Sequence, residues 1–377
     1  MFRSLVLFCC VLSFMTLRCS KAPNSTDVQV PSWAKDAVWY QIFPERFHNG
    51  DSFNDPTRAD VEIPDDRSWA VSPWTSDWYS LQAWEAQHDS DFYRNVFDRY
   101  YGGDLQGVLE KLDYLEDLGV NALYFNPVFE AHSLHKYDAS SYHHIDDNFG
   151  PDPHGDRLRI ADETNDPQTW QWTSADNLFL TVLREAHVRG IRVIIDGVFN
   201  HSGTRFWAFR DVEKNQQSSA YKDWYDIRAW DDPSTEANEF DYKGWWDHAS
   251  LPEFAEGDSG FVPEVWQHFF DITKRWMDPN GDGDPSDGID GWRLDVANEV
   301  SPTFWKEWRT LVKSLNPEAY IVGEIWDDAS HWLSGDQFDA VMNYQFARAG
   351  VRFFIDSDER SIDAEELDEE LQRIRHD

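Results

Sequence analysis

Six apolar, strand-like runs recur along the chain, five of them with polar or acidic side chains toward their C-terminal ends, and amphipathic helical stretches fall between most of these runs. The runs are DAVWYQIF (36–43), VNALYFNPVF (120–129), IRVIIDGVF (191–199), IDGWRLDVA (289–297), AYIVGEIW (319–326) and FDAVMNYQF (338–346). Helical spacing marks 105–119, 177–190, 261–277 and 303–315. Such alternation predicts a parallel sheet with helices packed on it. Asn126, Asp196 with Asn200, Asp295, Glu324 and Asn343 sit at or near the C-terminal ends of their runs. That is the end at which a (β/α)8 barrel builds its active site. A doubly wound sheet is disfavoured, because no glycine-rich phosphate loop follows the first strand. The expected fold is therefore α/β, a (β/α)8 TIM barrel that is incomplete, with about six strand–helix units. Residues 36–200 form its first part and 261–377 its continuation. The connection 201–260 after strand three, rich in Trp, Tyr and Asp, is too long for a plain loop and predicts a small inserted domain.

Charge excludes one class of partner. The chain has 33 basic against 70 acidic residues, a net charge of −37, and such a surface repels phosphate backbones. Nucleic acid is not an expected partner. The 20 Trp and 14 Tyr exceed what a core needs and offer flat faces on which sugar rings stack. Residues 1–19 read as an export signal, with Arg3 ahead of an apolar run too short to span a bilayer, and 20–35 as a spacer. All three cysteines (Cys9, Cys10, Cys19) lie in that leader, so the body is expected to lack disulfides. Cys19 is placed like a lipid-modified cysteine, although Arg18 is unlike such signals. The expectation is secretion, periplasmic location or a cell-surface lipoprotein, with any membrane contact made through Cys19.

The chemistry is concentrated in GWRLDVANEV (291–300). Arg293 and Asp295 are two positions apart in a strand and so project from one face. A buried Arg–Asp pair alone is compatible with a structural role. The next strand, however, ends in GEIW and brings Glu324 to the same barrel end. Two buried carboxyls that converge disfavour joint ionisation. Retaining glycoside hydrolysis needs that state: one carboxylate as nucleophile and one protonated carboxyl as acid. Asp295 is the expected nucleophile, Arg293 its orienting cation, and Glu324, with a raised pKa, the acid/base. DGVFNH (196–201) adds Asp196 and His201, expected to bind substrate hydroxyls.

DGVFNH, GWRLDVANE and GEIW, in this order and spacing, resemble the first three signature regions of the α-amylase family, glycoside hydrolase family thirteen. The resemblance runs from about Trp39 to Phe346. It implies that Tyr137, in HKYDASSY, stacks on the sugar at the cleavage site. It also implies that 201–260 is the family's domain B, with LPEF (251–254) as its short specificity motif. VANE, GEIW and GDQFDAVMNYQF look most like the neopullulanase and cyclomaltodextrinase branch. That likeness implies cleavage of α-1,4 bonds, with some tolerance of α-1,6, in pullulan, cyclodextrins or starch-derived maltooligosaccharides, and places Asn298, Glu299 and Trp326 on the leaving-group side. The chain departs from much of the branch in lacking an N-terminal β-domain ahead of the barrel, which leaves the oligomeric state open. An α-glucan transglycosylase with the same residues, and a non-catalytic surface glycan-binding protein, are the alternatives.

Two loops predict Ca2+. NGDSFND (49–55) offers Asn49, Asp51, Asn54 and Asp55, and YYGGD adds the Gly102 carbonyl and Asp104, all hard oxygen donors. Without a metal these are Asx turns; the family resemblance favours calcium. Asp278, Asn280 and Asp282 begin like an EF-hand loop that lacks the closing Glu. At the end of the chain His376 and Asp377 mimic the family's fourth region. Leu367, Leu371 and Ile374 nevertheless fall at helical spacing, so the pair is expected to continue an acidic helix. With strands seven and eight unaccounted for, the expectation is a piece of a longer enzyme, poorly soluble and essentially inactive alone.

Overall fold

In the computed structural model, residues 30–376 are described apart from 62, 64–66, 76, 258 and 357–359. The expected export signal, Cys19, most of the spacer and Asp377 lie outside the described residues.

Six strands form one parallel sheet in chain order: β1 (Trp39–Ile42), β2 (Ala122–Phe125), β3 (Arg192–Gly197), β4 (Gly291–Leu294), β5 (Tyr320–Gly323) and β6 (Ala340–Val341). The connections run through helices. Helices α1 (Leu105–Glu110) and α2 (Leu112–Asp117) lead to β2, and α3 (Pro153–Arg159) and α4 (Ser174–Val188) lead to β3. After α5 (Trp207–Asn215), in the long insertion, α6 (Pro263–Met277) leads to β4 and α7 (Pro302–Leu315) to β5. Helices α8 (Tyr344–Phe354) and α9 (Ala364–His376) follow β6. This is the incomplete barrel expected. Among the described residues β1 and β6 are the sheet's two edges.

Period-two alternation gives the sheet two unlike faces. Leu123, Phe125, Val193, Ile195, Trp292, Leu294 and Ile321 belong to the main core with Phe179 of α4, Phe269 and Trp276 of α6, and Trp305 and Trp308 of α7. Each such side chain, fully buried, is worth about 1.5–3 kcal/mol. The opposite face carries Tyr124, Ile194 and Val322 and, further up, Asp196 and Arg293, which are register partners on β3 and β4. Trp33, Trp39 and Tyr320 plug the N-terminal end of this face, with ring centroids 5.7–5.8 Å apart. The polar end is left for chemistry.

Two elements differ from expectation. The single helix expected over 105–119 breaks at Lys111 (φ −101°, ψ 0°) into α1 and α2. The strand expected over 338–346 is only Ala340–Val341, because the Asn343 side chain accepts from the Phe346 N–H at 3.0 Å and caps α8. Asn343 is thus a cap, and Tyr344 sits on a helix. Residues 201–260 hold α5 and two short antiparallel ribbons, 227–229 with 241–242 and 256–257 with 260–261. Phe206, Phe209, Tyr225 and Phe254 tie this insertion to the main core.

Candidate active site

Arg293 is the centre of the polar end. Its Nη1 donates to both oxygens of Asp196 at 2.9 and 3.0 Å and to Asp295 Oδ1 at 2.7 Å, while Nη2 lies 2.9 Å from Glu324 Oε2. All four residues are buried. Asp295 and Glu324 are therefore brought together on one guanidinium, each at the C-terminal end of its strand. Arg293 Nε donates to Met342 Sδ at 3.2 Å, which completes its coordination. Glu324 is held three further ways, by the Arg293 fork aside: Oε2 accepts from the Val296 N–H at 3.0 Å, Oε1 accepts from the Tyr344 hydroxyl at 2.8 Å, and the Trp326 side chain hydrogen-bonds to it. Val296 has φ 38°, a left-handed conformation rare for a β-branched residue, and this aims its N–H at Glu324.

Three carboxyls around one cation do not all ionise together. Burial, and then the charge of Asp196, push Asp295 up to about 8 against the pull of Arg293, with Glu324 adding to the rise. Burial raises Glu324 too, but the Arg293 charge and the Val296 and Trp326 hydrogen bonds outweigh it and bring the group below its ordinary value. These directions favour the resting proton on Asp295 over Glu324, the reverse of the raised Glu324 expected. The reason is geometric: Glu324 accepts from the Val296 N–H and the Tyr344 hydroxyl as well as facing Arg293, whereas Asp295 faces the like charge of Asp196.

Around this cluster, Asp196 also accepts from the Tyr124 hydroxyl at 2.6 Å and the Tyr137 hydroxyl at 3.2 Å. Tyr137 is bonded to Asn126 Nδ2 at 3.3 Å. His201 is buried, stacks on Trp245 with centroids 5.7 Å apart, and has Nδ1 beside Asn200, while its Nε2 has no partner. Burial pulls His201 down to about 4, so its imidazole is neutral. Asn298 and Glu299 are exposed on the turn after Asp295 and bond to each other at 3.2 Å. Trp326 is half-buried and meets the Trp246 ring edge-on at 5.4 Å. Tyr124, Met342 and Tyr344 were not expected. Tyr124 was legible as the polar member of β2 on the Asn126 face; the other two depended on where α8 begins.

A model of the alpha-amylase catalytic domain matches residues 41–166 and 173–375. The chain belongs to the α-amylase family. It is 44% identical over 346 residues to neopullulanase 2 of Thermoactinomyces vulgaris, covering 92% of this chain and 48% of that protein. It is 39% identical over 348 residues to a cyclomaltodextrinase of Geobacillus thermopakistaniensis, again 92% and 48%. The solved cyclic α-maltosyl-(1→6)-maltose hydrolase of Arthrobacter globiformis superposes with a TM-score of 0.68 at 34% identity, covering 92% of this chain and 63% of that one. The chain spans about half the length of the curated relatives it matches.

In this α-amylase-family chain the first loop expected to bind calcium has a donor set that suits such an ion. Asn54 is buried and its Oδ1 has no partner, although its Nδ2 donates to the Gly150 carbonyl at 3.0 Å. Asn49 Nδ2 donates to Asp55 Oδ1 at 2.6 Å. Gly102, at φ +70°, runs so close that an added Cβ would lie 2.3 Å from that oxygen. Asp104 accepts from the N–H groups of Gly50, Asp51 and Gly107. Burial, and the charges of Asp104 and Asp51, raise Asp55 although the Asn49 amide lowers it. An orphaned oxygen among converging acidic groups fits a hard cation. The second loop differs. Asn280 and Asp282 are exposed, Asp278 is half-buried, and their oxygens accept from the N–H groups of Asp282, Gly283 and Asp284, so they form self-contained Asx turns.

Proposed function

We propose that this chain carries the catalytic pair of a retaining glycosidase acting on α-1,4 glucosidic bonds, with tolerance of α-1,6, in pullulan, cyclodextrins or maltooligosaccharides. The observation that supports it most is the Arg293 fork, which joins Asp295 and Glu324 at the C-terminal ends of neighbouring strands. In this reading Asp295 attacks the anomeric carbon as the bond to the leaving sugar breaks, and Glu324 gives its proton to the leaving oxygen. Water then attacks the glycosyl–Asp295 ester, Glu324 takes the water's proton, and Asp295 is released. The pair holds one proton at rest, which is the inventory this chemistry needs. Seating a sugar ring against Asp295, with its leaving oxygen at Glu324, moves that proton to Glu324.

In this reading the unpartnered His201 Nε2, with Asp196 beside Arg293, bonds hydroxyls of the sugar, and Tyr137 stacks against it. Asn298, Glu299 and Trp326 line the leaving-group side. Asn49, Asp51, Asn54, Asp55, the Gly102 carbonyl and Asp104 hold a Ca2+ that stabilises the fold away from the chemistry. An export signal over 1–19 sends the protein out of the cytoplasm, with Cys19 as the point of any lipid anchor. The deciding experiment is the product profile on starch, pullulan and cyclodextrin, run on the enzyme at the full length of its relatives, of which this chain spans about half. Panose from pullulan supports the branch; isopanose alone, or no product, removes it. Product chain length separates hydrolysis from glucosyl transfer.

A further inference from the structure

Apart from the catalytic cluster and the calcium loop, one group of side chains has the composition and spacing of a transition-metal site. His143 and His144 lie in the connection after β2, and Glu163 follows α3. Glu163 Oε2 is 2.7 Å from His144 Nε2 and 3.5 Å from His143 Nδ1, and one ligand atom from each residue lies within 4.8 Å of the other two. Behind them, His144 Nδ1 lies 2.8 Å from Asp176 Oδ2, at the start of α4. Asp176 is itself fixed by the N–H groups of Thr173 and Ile145 and by Arg275. A carboxylate behind a histidine is how metal-ligating imidazoles are oriented. Glu163 Oε1 accepts from the Gln171 N–H, which holds the other carboxylate oxygen toward the histidines.

A buried ion pair of His144 with Asp176 and Glu163 would account for part of this. It does not account for the rest. His143 is 3 % exposed, packs face to face on Trp170 at 4.0 Å, and turns its Nδ1 to Glu163 Oε2 at 3.5 Å, too long for a close hydrogen bond. The His268 ring, 5.2 Å from His143, has no partner on either nitrogen. The cluster also faces a cavity of about 690 Å³, lined by Glu130, His143, His144, Glu163, Trp207 and Arg210 among others, with none of Asp196, Arg293, Asp295 or Glu324 in its wall.

We propose that His143, His144 and Glu163 bind a divalent transition-metal ion of the zinc class, with its fourth position open to this cavity. Two imidazoles and one carboxylate are ligands such ions take, and an open position is what distinguishes a reactive or exchangeable site from a closed structural one. Entry of the ion displaces the proton between His144 Nε2 and Glu163 Oε2 to solvent. Ligand atoms about 2.0–2.1 Å from a tetrahedral ion stand farther apart than the present 2.7 Å contact, so that contact widens by roughly half an ångström. The ion would tie the loop after α3 to the connection after β2.

The test uses the intact protein with its calcium loop saturated by millimolar Ca2+, so that acidic surface sites do not confuse the count. After equilibration with Zn2+ and gel filtration, metal analysis should find one Zn2+ per chain. Co2+ should give the intense visible d–d absorption of a four- or five-coordinate site. Glu163→Gln and His143→Gln, which keep size and hydrogen bonding, should each weaken Zn2+ binding by about a hundredfold or more. Zn2+ should raise the melting temperature of the parent and not of these variants. No retained Zn2+, a purely octahedral Co2+ spectrum, or undiminished Zn2+ binding in both variants would overturn the proposal.

Discussion

Replacing Asp295 by Asn should make the protein more stable, and increasingly so as pH rises. The folded protein holds this carboxyl at about 8 because of burial and the nearby Asp196, against an ordinary value of 3.8. Between those two values the folded chain binds a proton that the unfolded chain has released, so stability falls with rising pH across that window. At pH 7 about three units of the window have been crossed, and at 1.36 kcal/mol per unit the cost is roughly 4 kcal/mol. Asparagine keeps the shape and an oxygen for the Arg293 Nη1 bond, now 2.7 Å long, but has no charge to bury. At neutral pH the folded carboxyl is protonated and the pull of Arg293 is already contained in its value of about 8, so the expected gain is that same cost, roughly 4 kcal/mol. Urea unfolding of parent and Asp295→Asn at a series of pH values between 4 and 8.5 measures it. The gap should be near zero at the acid end and widest at the alkaline end. Turnover of glucan should meanwhile fall by about 10⁴-fold or more, as for loss of a nucleophile. A variant no more stable than the parent at pH 8, or a gap that shrinks as pH rises, would refute the placement of the proton.

Arg293→Met removes the one cation shared by Asp196, Asp295 and Glu324 and should cost about 3–5 kcal/mol, measured by urea unfolding at neutral pH. The deficit should shrink on acidification, as the stranded carboxyls take up protons. Tyr344→Phe removes a hydrogen bond that lowers Glu324, so the Glu324 pKa rises and the alkaline limb of kcat, which reports the substrate complex, moves to higher pH; a limb that stays put or moves down counts against Glu324 as the acid. Chelation should lower the melting temperature in proportion to the logarithm of the free Ca2+ removed, and Asp55→Ala should abolish that response. A melting temperature indifferent to chelator in the parent would retire the calcium loop.

Much of the fold was legible because each buried strand announces itself twice, by an apolar run and by the polar residue that ends it. Ile194 and Asp196 show the rule at its clearest: one face, one strand, apolar below and acidic above. The readings failed where local and tertiary signals compete. In 105–119 the helical period is continuous and nothing local marks Lys111 as a break. In 338–346 the β-like composition of MNYQF is overridden by a single side-chain cap: Asn343 takes the Phe346 N–H and starts α8 three residues before the apolar run ends. The inserted segment 201–260 was legible only as an excess of length and aromatics. Its short ribbons depend on contacts such as Tyr225 with Phe254 that no periodicity encodes.

The candidate site divides in the same way. Residue types and their placement on strand ends were legible, since Arg293, Asp295 and Glu324 follow from period two and parallel order. Proton placement was not, because it depends on which carboxyl the backbone serves. In the sequence Arg293 stands two positions from Asp295 in one strand, which left the raised pKa to Glu324. The fold reverses this through Val296, whose left-handed turn delivers an N–H to Glu324 and none to Asp295. Asp196, in register with Arg293 on the neighbouring strand, adds a negative charge on the Asp295 side. The same turn that points the chain away from β4 therefore decides which acid is the weaker one at rest. A residue at Val296 that relaxed this conformation would withdraw the N–H from Glu324 and bring the two carboxyls nearer in pKa, even though it touches neither by its side chain.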